Sequence, residues 1–266
     1  MATRRIRLLV LCKTYPSPSA QYVETSCVAA MEETGRLVRL YPVPFRLMQD
    51  DVQFRKWQWI EADIEKARKD HRPESHQIRV DNLKVVGDAL STAGDWADRR
   101  VWLDRLQMHS AFGDLDAARV SSGVSLGLLK PAKVLALEIE PARQMDWTAE
   151  ERAKLLQAQN QGSLFSEAEQ DITMLKKVPF DFYYRYQDPG GAEWRHKISD
   201  WEAGALYWNV VRKHGDAWQV PFREKLGRAL PENDLMFLMG TIHRFQDQWL
   251  IVSLIYPPRR LQQPLF

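Results

Sequence analysis

The stretch between residues 180 and 198 limits the folds open to this chain more than any other part of the sequence. Its alternating side chains are Phe180, Phe182, Tyr184 and Tyr186, followed by Trp194, His196 and Ile198. The segment Asp188-Pro189-Gly190-Gly191 between the two runs has the composition of a tight turn. Because side chains alternate between the two faces of a strand, the pattern predicts a β-hairpin with a buried aromatic face.

This hairpin opens a C-terminal unit in which a helical pattern follows directly. Helical spacing relates Trp201, Ala205, Trp208 and Val211. That stripe predicts a helix with both tryptophans in the core, and Ser199 and Glu202 fit a capping box at its start. A shorter helix and two apolar strands, over residues 235–244 and 249–256, complete the pattern. We therefore expect a ββααββ unit over residues 179–266.

The N-terminal part of the sequence consists mostly of short strand-like runs. These runs are Arg7–Tyr15, Glu24–Met31, Arg36–Tyr41, Trp57–Lys66 and Val134–Glu140. In the fourth run, Ile60, Ala62 and Ile64 share one face. Several short strands with one helical stretch predict a small OB-like or PUA-like β-barrel over residues 1–145. The predicted fold class is β-rich α+β.

A polar segment over residues 146–178 joins the two predicted units. Thr148 and Glu151 fit a capping box, which predicts a short helix at the start of the segment. The residues that follow are polar and acidic, a composition typical of a linker.

The charge balance excludes a polybasic binder. Lys and Arg number 37 against 35 Asp and Glu, and the net charge is +2. The only N-terminal apolar run, Leu8 to Leu11, is too short for a signal peptide or a membrane span. Cys12 and Cys27 do not form a metal-binding pattern. We expect a cytoplasmic protein without a metal or cofactor.

Short sequence strings at both ends of the chain resemble a known group of proteins. These strings are Lys13-Thr14-Tyr15-Pro16, Glu24-Thr25, Cys27-Val28-Ala29, the run from Gly35 to Pro42, Ile198-Ser199-Asp200-Trp201-Glu202, Gly240-Thr241 and Tyr256-Pro257-Pro258. They are similar to uncharacterised bacterial and archaeal proteins with a tandem OB-type N-terminal unit. The resemblance implies small β-barrels of a kind often used on nucleic acid, and no particular activity.

The face of the hairpin opposite its aromatic core side is the first candidate site. It carries Tyr183, Arg185, Arg195 and Lys197. Cations that follow phosphates and a ring that stacks on bases are how single-stranded nucleic acid is bound. The same composition is typical of an ordinary solvated sheet face, and both interpretations stay open.

A second candidate surface lies on the predicted barrel. Its residues are Lys13, Arg39, Tyr41, Trp57 and Trp59. Large rings that point away from the barrel interior require a reason, and binding to nucleic acid supplies one. The alternative is that this face packs against the C-terminal unit and buries the rings.

Two strings resemble the peptides that dock on the bacterial sliding clamp. The internal copy is carried by Gln161, Leu164 and Phe165, and the terminal copy by Gln262, Leu265 and Phe266. A Leu-Phe pair fills an apolar pocket while the glutamine makes polar contacts. Either pair would equally serve to pin its own segment to the core.

The function that these observations favour is non-catalytic binding of nucleic acid, as an accessory factor in DNA repair, replication or defence against foreign DNA. No phosphate-binding loop, dinucleotide fingerprint or nucleophile elbow is present in the sequence. Acidic groups near one another in sequence are Glu61, Asp63 and Glu65, and Glu138 and Glu140 beside Lys133. They leave a metal-dependent enzyme acting on nucleic acid or nucleotides as one alternative. A protein–protein adaptor with aromatic interfaces is the other.

Overall fold

The computed structural model describes residues 3–19, 23–162 and 175–260. Over these ranges the chain forms a mixed α+β fold, rich in strands, with several sheets. The predicted β-rich α+β class is confirmed. None of the helices within the described ranges is long and apolar enough to cross a membrane.

Six strands from the N-terminal part of the chain form one mixed sheet. They are Arg4–Lys13 (β1), Ser17–Ser19 (β2), Val23–Met31 (β3), Leu37–Val43 (β4), Trp59–Lys66 (β5) and Ser75–Val86 (β6). β1 pairs antiparallel with β3 and β5, β3 pairs with β2 and β4, and β5 pairs with β6. β4 and β6 are parallel. The pairings of the longer strands therefore run β1–β3–β4–β6–β5 and return to β1.

Alternation along these strands separates an inner from an outer side. Ile60, Ala62 and Ile64 are fully buried and lie in one cluster with Leu8 and Val28. The face predicted for this strand is confirmed. Its apolar side chains are sequestered from water inside the ring of strands, which is the main favourable term in its folding.

The elements that follow connect this sheet to the C-terminal part. They are Ala93–Leu103 (α1), Met108–His109 (β7), Phe112–Ser122 (α2), Leu126–Leu129 (β8), Lys133–Pro141 (β9) and Ala149–Gly162 (α3). The last elements are Phe180–Gln187 (β10), Glu193–Lys197 (β11), Trp201–His214 (α4), Gln219–Phe222 (α5), a π-helical segment at Arg223–Ala229, Met236–Thr241 (β12) and Trp249–Ile255 (β13). They form a three-stranded sheet, β11-β10-β9, and a four-stranded sheet, β13-β12-β8-β7.

Two strands that precede residue 145 pair with the C-terminal part of the chain. β8 pairs with β12, and β9 pairs with β10. The boundary predicted at residue 145 therefore does not follow the sheets, since sequence alternation identifies a strand without identifying its partner. The division into units stays a prediction.

The outer side of the first sheet is covered by the four-stranded sheet. Leu9, Met31 and Trp59 pack in one buried cluster with Leu128 and Leu238. The two halves of the chain thus share a continuous apolar interface.

Helix α4 lies against both halves, and its buried face differs from the predicted one. Trp201 and Trp208 are only partly buried, whereas Tyr207 and Val210 are buried. The Trp201 ring lies close to the ring of Phe45, just after β4, with centroids 5.6 Å apart. The prediction that both tryptophans are core residues is wrong, because the spacing fits two neighbouring stripes of this helix and burial selects the other one.

The two predicted capping boxes have different outcomes. Before α3, the Thr148 amide donates to Glu151 Oε2 at 2.8 Å, and the Glu151 amide donates to Thr148 Oγ1 at 3.1 Å, which confirms the first box. Before α4, the cap is Asp200 instead of Ser199, and its Oδ1 accepts from the Glu202 amide at 2.7 Å. A carboxylate cap is also favoured by the helix dipole.

The inner face of the β10–β11 hairpin is buried, as the sequence predicts. Tyr184 and Tyr186 are fully buried, and Tyr184 Oη donates to the Leu226 carbonyl at 2.6 Å. His196 faces the same side, 3.0 Å from Tyr186 Oη through its Nδ1. Burial lowers the pKa of His196 to about 4, although Asp116 acts in the opposite direction.

We expect Gly204→Ala to destabilise the protein, against the usual preference of helices for alanine. A Cβ at Gly204 would lie 2.3 Å from Tyr15 Cδ2, so α4 and the segment that follows β1 must separate. Such overpacking costs about 1–3 kcal/mol. Chemical denaturation measures the loss. Gly113→Ala in α2 is the control, because nothing lies within 4 Å of its Cβ. Equal stability of the two variants would contradict the close approach.

We expect His196 to make stability depend on pH between 6.5 and 4. Its folded pKa lies below the ordinary value of 6.5, so the unfolded chain binds a proton that the folded chain does not. The stabilisation is present above pH 6.5 and is lost as the pH falls toward 4, by about 2 kcal/mol at pH 5. Denaturation of wild type and His196→Gln at pH 7.5 and 5 measures the difference. The exposed His71 supplies the control His71→Gln; an identical pH dependence in all three proteins would exclude this role.

Candidate nucleic-acid interface

The exposed side of the β11-β10-β9 sheet carries the first group of predicted site residues. Tyr183 lies opposite Lys197 on β11 and Glu138 on β9. Arg185 lies opposite Arg195. The structure therefore brings Tyr183, Arg185, Arg195 and Lys197 together on one face. We call this surface the sheet face, and it also includes Glu138 and Glu140 on β9 and Glu193 on β11.

Carboxylates neutralise the cations in the middle of the sheet face. Arg195 Nε lies 2.6 Å from Glu138, and Arg195 also bonds Glu140. Arg185 lies 3.2 Å from both Glu138 and Glu193. The Arg195 guanidinium holds the pKa of Glu138 below its usual range. A phosphate that approaches these arginines must compete with carboxylates already in place.

Tyr183 and Arg195 form a stacked pair on this face. The Arg195 guanidinium carbon lies 3.6 Å from the centroid of the Tyr183 ring. The ring is partly exposed. A planar guanidinium held over a ring offers a flat surface on which a base stacks.

A basic pocket opens beside Tyr183, at the end of the sheet face away from Glu193. Its volume is about 370 Å³, and it is lined by Ala142, Arg143, Gln144, Lys177, Asp181 and Lys197. Lys197 is bonded to Asp181 at 2.6 Å. In the described part of the chain, Arg143 and Lys177 have no carboxylate partner. Lys177 Nζ donates to the Asp146 carbonyl at 3.4 Å and lies 5.0 Å from the Trp147 ring centroid. These are neutral partners, so both cations lack a compensating negative charge.

Arg143 and Lys177 are not among the site residues predicted from the sequence. Both lie in connections, one after β9 and the other before β10, where no alternation marks a face. Each is a single cation in a polar stretch, and only the antiparallel pairing of β9 with β10 brings the two connections together. The one signal in the sequence is that cations flank both strands.

The second group of predicted residues does not form a binding surface. Trp57 is 1% exposed and Trp59 is 5% exposed, so the expectation that these rings face solvent is wrong. Both lie in the apolar interface between the two halves. The alternative interpretation, burial against the C-terminal part, is confirmed for these rings.

Arg39 is likewise buried, at the same interface. Its Nη1 donates to the Thr241 carbonyl at 3.1 Å and its Nη2 to the Ser125 carbonyl at 2.6 Å. The predicted exposure of Arg39 is wrong, because its guanidinium satisfies backbone carbonyls where the sheets meet. Burial lowers its pKa, partly offset by Cys27.

Lys13 and Tyr41 occupy separate environments. Lys13 Nζ lies 3.3 Å from the ring centroid of Phe45 and donates to the Phe54 carbonyl at 3.0 Å. Burial lowers the pKa of Lys13 to about 8. Tyr41 is 49% exposed, and its Oη accepts from Thr25 Oγ1 at 3.4 Å. Of this group, only Tyr41 offers a broadly exposed ring.

The partner motif lies outside the residues whose side chains the structure describes. Leu164, Phe165, Gln262, Leu265 and Phe266 fall in undescribed segments. Gln161 lies in the backbone of α3, and its side chain is not described.

The acidic groups do not assemble into a metal centre in the described part of the chain, where no three His, Cys, Asp or Glu side chains converge as ligands. Glu61 and Asp63 each lie 3.7 Å from Arg5. Glu138 and Glu140 are bonded to Arg195. Arginine pairing thus accounts for carboxylates from both groups.

Comparison with known proteins gives a family without an assigned function. A domain of unknown function, DUF8758, matches residues 4–105, and a second, DUF8757, matches residues 108–266. No curated protein matches the chain. A solved structure described as murine DNA-binding protein bound with double-stranded DNA is similar at 10% identity and a TM-score of 0.31, over 97% of this chain and 99% of that one. Similarity at that TM-score establishes neither a shared fold nor a shared function. The DUF8757 model covers more than half of the chain, and the protein therefore belongs to that family, a domain of unknown function.

Proposed function

We propose that this protein binds single-stranded nucleic acid, without catalysis, at the sheet face. The observation that carries the proposal is the position of the basic pocket directly beside the stacked Tyr183–Arg195 pair. A phosphate enters the pocket, and a neighbouring base stacks on the pair. Single strands are favoured because stacking on an exposed ring requires an unpaired base.

The charges of the sheet face set the number of phosphate contacts. Arg185 and Arg195 are bonded to glutamates and contribute little to phosphate binding. Arg143 and Lys177 contribute most of it. For a single strand, two phosphate contacts give a slope of about −1.4 when the logarithm of the binding constant is plotted against the logarithm of the salt concentration. This slope is much shallower than that of a polybasic binder.

The strand pairings of the N-terminal sheet support an OB-like interpretation. Counted along the chain without the short β2, the long strands pair in the order 1-2-3-5-4-1, with a parallel pair between the third and fifth. OB-folds bind oligonucleotides on the face of their second and third strands. Here those strands are β3 and β4, and Met31 and Arg39 on their outer side are covered by the C-terminal half. The proposed binding face therefore lies on the β11-β10-β9 sheet instead.

An accessory role in DNA repair, replication or defence against foreign DNA, in the cytoplasm, fits a binder without chemistry of its own. A metal-dependent enzyme would instead degrade an oligonucleotide in the presence of Mg²⁺ or Mn²⁺. A protein–protein adaptor would bind no oligonucleotide.

We expect the double variant Arg143→Ala/Lys177→Ala to weaken binding of a labelled single-stranded oligonucleotide and to flatten its salt dependence. The magnitude of that slope should decrease by about 1.4, because two contacts that release counterions are lost. Fluorescence anisotropy at salt concentrations from about 50 to about 300 mM measures both the affinity and its salt dependence. Lys213→Ala removes an exposed cation from α4 and is the control. A slope unchanged in the double variant would exclude the basic pocket as the phosphate site.

We expect Tyr183→Ala to weaken the same binding by about 1–3 kcal/mol while the salt slope is retained. The ring contributes stacking, which releases no counterions. The same titrations test this variant, with Tyr41→Ala as a control that removes an exposed tyrosine from another surface. If Tyr183→Ala binds as tightly as wild type, base stacking on this face is refuted.

The two clamp-like strings predict a second partner. If both dock on a sliding clamp, the protein binds the ring bivalently, and loss of one copy reduces avidity. Titration of purified clamp with wild type, with Leu164→Ala/Phe165→Ala and with a chain lacking residues 262–266 measures each contribution. Absence of binding by wild type at roughly tens of micromolar would remove this partner.

A further inference from the structure

A second cavity shares no lining residue with the sheet face or the basic pocket. It has a volume of about 290 Å³ and is bounded by α4, the π-helical segment and the end of β13. The residues that matter to its chemistry are Glu202, Leu206, Asn209, Leu226, Leu230 and Tyr256. This volume suits a single small ring system, at the lower end of the range of ligand sites.

One end of the cavity is polar and internally fixed. Lys56 Nζ lies 3.0 Å from Glu202 Oε2 and donates to the Leu254 carbonyl at 2.8 Å. Burial disfavours the charged amine, but Asp200 and Glu202 outweigh it and raise the pKa of Lys56. The contact with Lys56 therefore fixes the position of the Glu202 side chain. The Glu202 side chain is 52% exposed, and no hydrogen bond in the described residues uses its Oε1.

Further hydrogen-bonding groups of mixed type line the same cavity. Tyr256 presents a hydroxyl without a hydrogen-bond partner among the described residues. Asn209 accepts from Arg212 Nη2 through its Oδ1 at 2.8 Å, which leaves its amide nitrogen as a donor. The site therefore offers the Glu202 carboxylate as an acceptor, the Asn209 amide and the Lys225 ammonium as donors, and a hydroxyl that does either.

The walls between these groups are apolar and come from opposite elements. Leu206 lies on α4, whereas Leu226 and Leu230 lie on and just after the π-helical segment. π-helical turns occur frequently at functional sites. Behind Tyr256, Trp96 packs at 5.6 Å and has a left-handed backbone with φ of 66°. Backbone strain at a bulky residue is also concentrated at functional sites.

We propose that this cavity binds a nucleobase, with guanine favoured over the other bases. A flat heterocycle fits between leucine walls, and its edge supplies donors and acceptors together. Guanine presents two adjacent N–H donor groups, which match the Glu202 carboxylate, and acceptors that match Asn209 and Tyr256. A purely apolar ligand would leave these groups unpaired at a cost.

This site is independent of the sheet face, so free nucleosides test it directly. We expect isothermal titration calorimetry to show guanosine binding more tightly than adenosine, cytidine or uridine. Ala205→Phe places a ring in the cavity and should abolish binding. Tyr256→Phe should weaken guanosine binding about fivefold, and Glu202→Gln at least about tenfold, since a hydrogen bond to a charged acceptor is stronger.

Matched variants separate this site from other effects. Glu224→Gln lies on the π-helical segment outside the cavity and should bind guanosine as wild type does. Arg143→Ala/Lys177→Ala should also bind guanosine normally, whether or not it loses the oligonucleotide. The thermal midpoint of each variant reports its folding. No heat with any nucleoside at about 1 mM, or guanosine binding unchanged in a folded Ala205→Phe, overturns the proposal. So does binding of butylamine in place of every nucleoside, which would assign the cavity to amines.

Discussion

The attachment of the start of α4 to the N-terminal sheet is the interaction on which the rest of the structure depends. Lys56 reaches across to Glu202 and the Leu254 carbonyl, and the Tyr15 amide donates to the Ser199 carbonyl at 3.1 Å. Beside them, Lys13 Nζ lies 5.3 Å from the Trp201 ring. A charge that is buried and paired, a backbone bond and a cation–π contact thus fix one turn of helix. Because the same turn supplies Glu202 to the second cavity, the geometry of that cavity is set by the contact between the halves.

The sequence predicts those features of the fold that depend on local alternation. The inner faces of β5 and β10 follow from a period of two, and Ile60 and Tyr184 are buried as expected. Exposure is a different quantity, because it depends on which distant element covers a face. Trp59 alternates away from Ile60, yet it is buried by a sheet that no local pattern connects with it. The same reasoning explains Arg39, whose acceptors belong to residues far along the chain.

The candidate site shows the same division between local pattern and long-range pairing. Alternation correctly places Tyr183 and the neighbouring cations on one face of a hairpin. It does not reveal that β9 joins this sheet and brings Glu138 between Arg185 and Arg195. A surface that looks basic in the sequence is therefore close to neutral at its centre. The free charge lies instead at the edge, on Arg143 and Lys177, where loops meet and sequence patterns carry little information.

The burial of Arg39 has a consequence for how such proteins are inherited. Its guanidinium belongs to residues 4–105 and its acceptors to residues 108–266, so each of the two matched family regions completes the other. Separated, the first region would present an unpaired charge and the side chains of Leu9, Met31 and Trp59 to water. A gene that encoded either region alone would produce a chain with a large exposed apolar surface, which favours aggregation. Selection should therefore keep the two regions in one reading frame, or as two subunits of an obligate complex.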